Sequence, residues 1–371
     1  GGVLSCKVVP TPVLAYNAKI LNACAIMFTA SHNPPEYLGI KFIPDYAGPA
    51  TDDITAQIEK NLPLPTGEGR GEGAVLADFS QPYFEHIEKL IDFKKIHANI
   101  IFDGLYSASI GYFDELLRRN GIPFESLHMH YDPNFGGGMP EPKPKYLKEL
   151  IERVKAAGAV GLANDGDADR FGVINENGEY VSPNEIIAIL LRHLIKNKGL
   201  SGPLVKTVGA SLLLDRVAEK SGVEVIETAV GFKHVGEAMR KHNALIGGEE
   251  SGGLSIQGHI PEKDGILANL LVLEAMGYEN KTLVQLQKDL YDFAGVRFYN
   301  DRIDLPASQK VDFSGLNIIR RDTKDGEKLY LDDGNTWILI RPSGTEPLLR
   351  IYFESDSKEK IGQLKRMLQK T

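Results

Sequence analysis

Short apolar runs alternate with amphipathic helical segments through most of this chain, and from Val296 onward the alternation gives way to strands. That change of texture limits the fold most. A strand that returns parallel to its neighbour needs a crossover long enough to hold a helix, so the alternating part predicts mixed or parallel α/β sheets. Runs at 99–102, 159–163, 171–174, 203–208, 223–228 and 244–247 read as strands. Helices are expected at 52–60, 82–91, 110–120, 144–157, 184–198, 211–220, 234–242, 265–276 and 282–293. Gly121 reads as a helix C-cap, and Asp264-Gly265 as the opening of an apolar helix. After Val296, turns at 324–326 and 332–334 and a closing helix at 357–370 predict a separate α+β domain.

The chain has 371 residues, more than one ordinary core holds, so several domains are expected. The Pro/Gly-rich stretch 61–73 is the clearest boundary, and the expected domains are 1–75, 76–183, 184–294 and 295–371. With 42% apolar and 25% charged residues the composition is that of a soluble globular protein, and no run is apolar enough to span a membrane. A formal charge of −8 argues against general nucleic-acid binding and means that an anion site needs a local concentration of cations. Lys41, Arg170, Lys206, Lys233, Arg341 and Arg350 are the candidates. The two cysteines, Cys6 and Cys24, sit in apolar runs without metal-type spacing and read as buried thiols of a reducing, cytoplasmic compartment.

Four stretches carry chemistry. Thr29-Ala30-Ser31-His32-Asn33-Pro34 follows a strand-like run and precedes a second proline, which places the Ser31 hydroxyl on a polar turn at a strand end. Asn164-Asp165-Gly166-Asp167-Ala168-Asp169-Arg170 gathers three carboxylates at alternate positions between two strands. Oxygen donors crowded in this way suit a hard divalent cation such as Mg²⁺. A calcium loop starting at Asp165 would bring Glu176 to its last position, but Arg170 stands where that loop requires glycine, and strands flank it where helices should. Gly247-Gly248-Glu249-Glu250-Ser251-Gly252-Gly253 combines backbone freedom with groups able to bind sugar hydroxyls. Arg341-Pro342-Ser343-Gly344-Thr345-Glu346-Pro347, with Arg350 beyond it, can wrap a phosphate with backbone N–H groups and a guanidinium, and it is not a Walker loop.

In this order the four stretches resemble the α-D-phosphohexomutases, the phosphoglucomutase and phosphomannomutase family, over nearly the whole chain. The resemblance implies three α/β domains with mixed sheets and a C-terminal α+β domain around a central cleft. It implies that Ser31 carries a phosphoryl group and that Asp165, Asp167 and Asp169 hold Mg²⁺ together with it. Glu249 and Ser251 would hold sugar hydroxyls, and Arg341, Ser343, Gly344 and Thr345 the phosphate that is not being transferred. Lys41 and Arg170 match positions beside the reacting phosphate, and His32 and Lys233 are expected to contact substrate. The chain opens where the family's first domain is already under way, without a Thr-Ser-Gly-x-Arg-Gly-like loop, and so reads as a truncated form.

The expected activity is a phosphohexomutase that interconverts hexose 1-phosphate and hexose 6-phosphate, with a hexose 1,6-bisphosphate as activator and intermediate. The Glu249–Gly253 loop favours glucose phosphate over mannose or glucosamine phosphate. Two rivals stand beside it: an inactive sugar-phosphate-binding relative, motivated by the missing arginine loop, and a Mg²⁺-dependent phosphatase, disfavoured because a serine rather than an aspartate is the expected carrier.

Overall fold

The computed structural model describes residues 3–61, 75–309, 311–331, 333–342 and 347–369. Apart from Asn61, the expected boundary stretch 61–73 lies outside the described residues. The chain begins with β1 (Leu4–Ser5), α1 (Thr11–Ile20), β2 (Ala25–Thr29), β3 (Gly39–Ile43), α2 (Asp52–Asn61) and β4 (Val75–Leu76). Here β1 pairs in parallel with β4, and β2 pairs antiparallel with β3. One face of the β2–β3 pair exposes Ile26, Phe28 and Ile40.

The second unit contains α3 (Ser80–Leu90), β5 (Ile100–Asp103), α4 (Phe113–Arg119), β6 (Glu125–Leu127), α5 (Lys148–Ala157), β7 (Val160–Asn164), β8 (Phe171–Ile174) and β9 (Tyr180–Val181). Its sheet runs β6-β5-β7-β8-β9, parallel among the first three strands and antiparallel after them. The expected helix at 110–120 starts later, at Phe113, because Gly111 takes a positive φ of 85°.

The third unit comprises α6 (Pro183–Lys196), β10 (Leu204–Thr207), α7 (Leu212–Lys220), β11 (Val225–Thr228), α8 (Phe232–His242), β12 (Ile246–Gly248), β13 (Leu254–Ile256), α9 (Gly265–Glu279) and α10 (Leu283–Ala294). The sheet order is β11-β10-β12-β13, with only β13 antiparallel. As the sequence suggests, Asp264 caps α9, its Oδ1 accepting from Leu267 N at 2.9 Å. Every residue of α9 from Gly265 to Met276 is buried, since the helix packs against both β7–β8 and β13. That all-round burial explains a helix with no polar face.

The last unit is antiparallel throughout: β14 (Tyr299–Pro306), β15 (Ile318–Asp322), β16 (Glu327–Leu331), β17 (Trp337–Pro342) and β18 (Leu348–Ser355) in the order β14-β18-β17-β16-β15, with α11 (Lys358–Gln369) on one side. It has its own core, built on Ile303, Leu329, Ile338, Ile351, Phe353 and Leu364. A smaller cluster of Val208, Tyr330, Trp337 and Leu339 joins it to the third unit.

One expectation needs correction. Neither cysteine is buried: Cys6 is half-buried and Cys24 exposed, both as free thiols. Cys24 lies just before β2, whose one strand partner among the described residues is β3. Among the described residues, no helix is long and apolar enough to cross a membrane.

Candidate active site

Each chemistry-bearing stretch joins two antiparallel strands. Thr29 of β2 lies opposite Gly39 of β3, and Ser31 sits in the connection between them. Asn164 of β7 faces Phe171 of β8 across the loop that holds the three aspartates. Gly248 of β12 faces Leu254 of β13, and Glu249 and Ser251 fall between. Pro342 of β17 pairs with Leu349 of β18. Ser343, Gly344 and Thr345 lie outside the described residues.

The first two loops meet. Ser31 has a positive φ of 53°, and its backbone N–H is anchored by Thr29 Oγ1 at 2.8 Å. From this turn Ser31 Oγ donates to Asp165 Oδ2 at 3.0 Å, and His32 Nδ1 lies 3.4 Å from the same hydroxyl. Gly166 is glycine for a steric reason: any Cβ there would collide with the Ser31 carbonyl oxygen. Lys41, on β3, reaches Asp167 Oδ2 at 2.7 Å and Asp169 Oδ2 at 2.9 Å. The Arg170 side chain stays within 4.0 Å of Asp165 and 3.9 Å of Asp169.

The electrostatics are those of a crowded acidic pocket held by cations. Burial, then Asp169 and Asp167, push the Asp165 carboxyl well above the usual carboxylate range. Burial acts the same way on Asp169, but Lys263, Lys41 and Arg170 outweigh it and hold that carboxyl below its ordinary value. Burial pulls Lys41 down, yet Asp169 and Asp167 win and leave it well above its ordinary value as a firm ammonium. Burial and Arg170 push His32 down to about 4, so its imidazole is neutral near pH 7.

The other expected residues are arranged differently. Glu249 Oε1 accepts from Gly231 N at 3.0 Å, and Ser251 Oγ donates to Glu249 Oε2 at 3.3 Å. Burial raises the Glu249 carboxyl, while Lys263 and Arg170 draw it back, which ties this loop to the same cationic field. Lys233 does not join the cluster and pairs instead with Asp52 of α2 at 2.5 Å. Arg341 forms a forked pair with Asp325, at 3.1 and 3.0 Å. Asp325 also accepts from Val230 N at 2.9 Å, so Asp325, paired with Arg341, and Glu249 hold the adjacent residues Val230 and Gly231. Lys206 lies apart, paired with Asp215 beneath the last domain.

Three functional neighbours escape sequence reasoning. Lys263 Nζ contacts Asp169 Oδ2 at 2.9 Å. Glu262 is buried nearby, and that burial raises it to about 7 against the pull of Lys263 and Lys41. Thr11, at the start of α1, donates its hydroxyl to Asp167 Oδ2 at 2.8 Å. The one local hint was the run Glu262-Lys263-Asp264 before an apolar helix; Thr11 had none.

The donor set fits a hard cation. One ligand oxygen from each of Asp165, Asp167 and Asp169 lies within 4.8 Å of the others, and all three residues are buried. Asp167 Oδ1 and Asp169 Oδ1 are buried without a hydrogen-bond partner, which is costly for carboxylate oxygens unless something positive occupies that space.

Four patterns of the phosphoglucomutase/phosphomannomutase family match in succession: α/β/α domain I over residues 2–64, α/β/α domain II over 81–178, α/β/α domain III over 182–293 and the C-terminal domain over 302–371. A probable phosphoglucosamine mutase of Methanopyrus kandleri is 33% identical over 98% of this chain and 82% of its own. A phosphoglucomutase/phosphomannomutase of Thermococcus kodakarensis is 32% identical over 96% of this chain and 80% of its own. The crystal structure of a putative phosphomannomutase from Thermus thermophilus superposes with a TM-score of 0.89 at 33% identity, covering 100% of this chain and 82% of that one. With four domains matched in order on a site of this composition, the chain belongs to the phosphoglucomutase/phosphomannomutase family, the phosphohexomutases of the isomerase class.

Proposed function

We propose that this phosphohexomutase moves a phosphoryl group between the 1- and 6-oxygens of a hexose by way of phospho-Ser31, and that glucose phosphate is its preferred substrate. One observation carries the reading: the Ser31 hydroxyl lies 3.0 Å from Asp165, in a buried carboxylate cluster flanked by Lys41, Lys263 and Arg170. In the forward step, a free hydroxyl of the bound hexose monophosphate bonds to phosphorus as the P–Oγ bond of phospho-Ser31 breaks. The attacking hydroxyl loses a proton and the departing Ser31 Oγ gains one; Lys41, an ammonium at rest, is assigned to supply the second and recover the first. The bisphosphate then turns over and returns its other phosphoryl group to Ser31 by the reverse exchange.

Asp165, Asp167 and Asp169 are the proposed ligands of Mg²⁺, which when bound neutralises charge on the transferred phosphoryl group. Arg170 and Lys41 add fixed positive charge at the same place. Glu249 and Ser251 orient the sugar, and the 341–350 segment, with Ser343, Gly344 and Thr345, grips the phosphate at the far end. His32 and Lys233 are further substrate contacts; Lys233 must leave Asp52 to serve. The Glu249-Glu250-Ser251-Gly252-Gly253 loop supports glucose phosphate, whereas the names of the relatives point to glucosamine and mannose phosphates as competitors.

Intact-mass measurement after incubation with glucose 1,6-bisphosphate tests the chemistry. One phosphoryl group is expected on Ser31, and none on a folded Ser31→Ala variant. Full turnover by Ser31→Ala would refute the carrier role. Glucose 1-phosphate should show the highest kcat/KM beside mannose 1-phosphate and glucosamine 1-phosphate; release of inorganic phosphate in place of isomer would make the protein a phosphatase.

A further inference from the structure

The first turn of α1 is bonded to the acidic loop twice. The Thr11 backbone N–H, one of the helix-terminal donors that no helical carbonyl can satisfy, donates to the Asp167 carbonyl at 2.9 Å. The Thr11 hydroxyl donates to Asp167 Oδ2 at 2.8 Å. Lys41 takes the same oxygen at 2.7 Å, and the other carboxylate oxygen, Oδ1, is buried with no partner. Thr11 is wholly buried and Asp167 only 2% exposed, so water offers the carboxylate no alternative partner.

From this geometry we infer that Thr11 is a positioning residue for the divalent cation: it fixes which oxygen of Asp167 faces the cation. With Oδ2 held by a hydroxyl on one side and an ammonium on the other, the carboxylate cannot swing freely about its Cβ–Cγ bond. Its unpartnered oxygen is therefore presented in one orientation before any ion arrives. Without the hydroxyl, Lys41 is, among the described residues, the only side-chain donor left to Asp167, and it is shared with Asp169 Oδ2 at 2.9 Å. Partners that orient a metal ligand in this way are commonly worth tenfold or more in metal affinity. This inference rests on the metal-site reading above.

The test is Mn²⁺ binding to the full chain, followed by electron paramagnetic resonance of the free ion, without sugar phosphate or turnover. Wild type should bind one ion that Asp167→Asn loses. Thr11→Val, close in shape to threonine, should bind about tenfold or more weakly, and Thr11→Ser should stay within about threefold of wild type. Metal-free circular dichroism and melting identify variants that do not fold. Should Thr11→Val be one of them, the Thr11→Ala and Thr11→Ser pair, which share the lost methyl and differ only by the hydroxyl, replaces it with the same expected ratio. Wild-type affinity in Thr11→Val, or equal affinities in the Ala and Ser variants, overturns the role of Thr11 and leaves the metal site standing. No wild-type binding that depends on Asp167 overturns the metal site, and the inference with it.

Discussion

At the scale of single residues, a tight backbone contact joins a glycine to a serine. Gly166 has no room for a side chain because the Ser31 carbonyl occupies that space, so the Ser31 turn and the aspartate loop lie backbone to backbone. Gly166→Ala should force Ser31 away from Asp165. The expected result is a loss of more than tenfold in kcat, with about 1–3 kcal/mol of destabilisation from overpacking, read by steady-state kinetics and denaturant unfolding. Residues of this kind divide by how far sequence reasoning reaches them. The three aspartates are legible because they stand in a compact local motif whose chemistry makes sense by itself, and Ser31 is legible through the resemblance that the four stretches carry together. Thr11 is not, because its partner Asp167 lies 156 positions away and nothing in Pro10-Thr11-Pro12 except a helix start is visible locally. Lys233 shows the converse: a lysine at a fitting position whose ammonium is held by an aspartate of another helix.

Between elements, a histidine chain ties α3 to the segment that opens α9. His86 Nε2 lies 2.9 Å from His259 Nδ1, and His259 Nε2 lies 3.0 Å from Asp264 Oδ2, which also accepts from Tyr83 at 2.8 Å. Tyr16 of α1 stacks on His86 with ring centroids 4.3 Å apart. Burial and the neighbouring His259 push His86 down to about 4 from its ordinary 6.5, with Lys19 and Lys89 acting in the same sense and Asp264 against it. A histidine that resists charging when folded makes the unfolded chain bind the extra proton. Its share of stability is therefore intact above pH 6.5 and is lost as the pH falls to about 4. Melting temperature measured across that window should fall less steeply in His86→Gln, whose amide can still donate to His259 but does not titrate. The elements themselves were largely legible, since the helix and strand periods are strong from 76 onward. Not every helix start was: Phe113 begins α4 only after Gly111 has turned the chain, whereas the Asp264 cap of α9 was read directly.

Over the whole molecule, one apolar core runs from Val9 to Ala294, and the C-terminal domain is attached to it by a small contact. At its centre Trp337 is 1% exposed and bonds Glu354 through its indole N–H at 2.7 Å. The buried Lys328 ammonium lies 4.4 Å from the Trp337 ring and donates to the Val208 carbonyl at 2.6 Å. Trp337→Ala should cost about 3–5 kcal/mol, concentrated at this contact. Calorimetry should then show the last domain melting ahead of the rest, where the wild type gives one transition.

The hairpin tips that carry the chemistry belong to four different sheets. A change of length or sequence in one tip leaves the strand ladders of the other three intact. On the proposed mechanism, selection can thus alter which sugar is accepted by editing residues 249–253 while the Ser31 turn and the aspartate loop are inherited unchanged. An architecture of this kind lets one reaction diversify across many hexoses without refounding the scaffold.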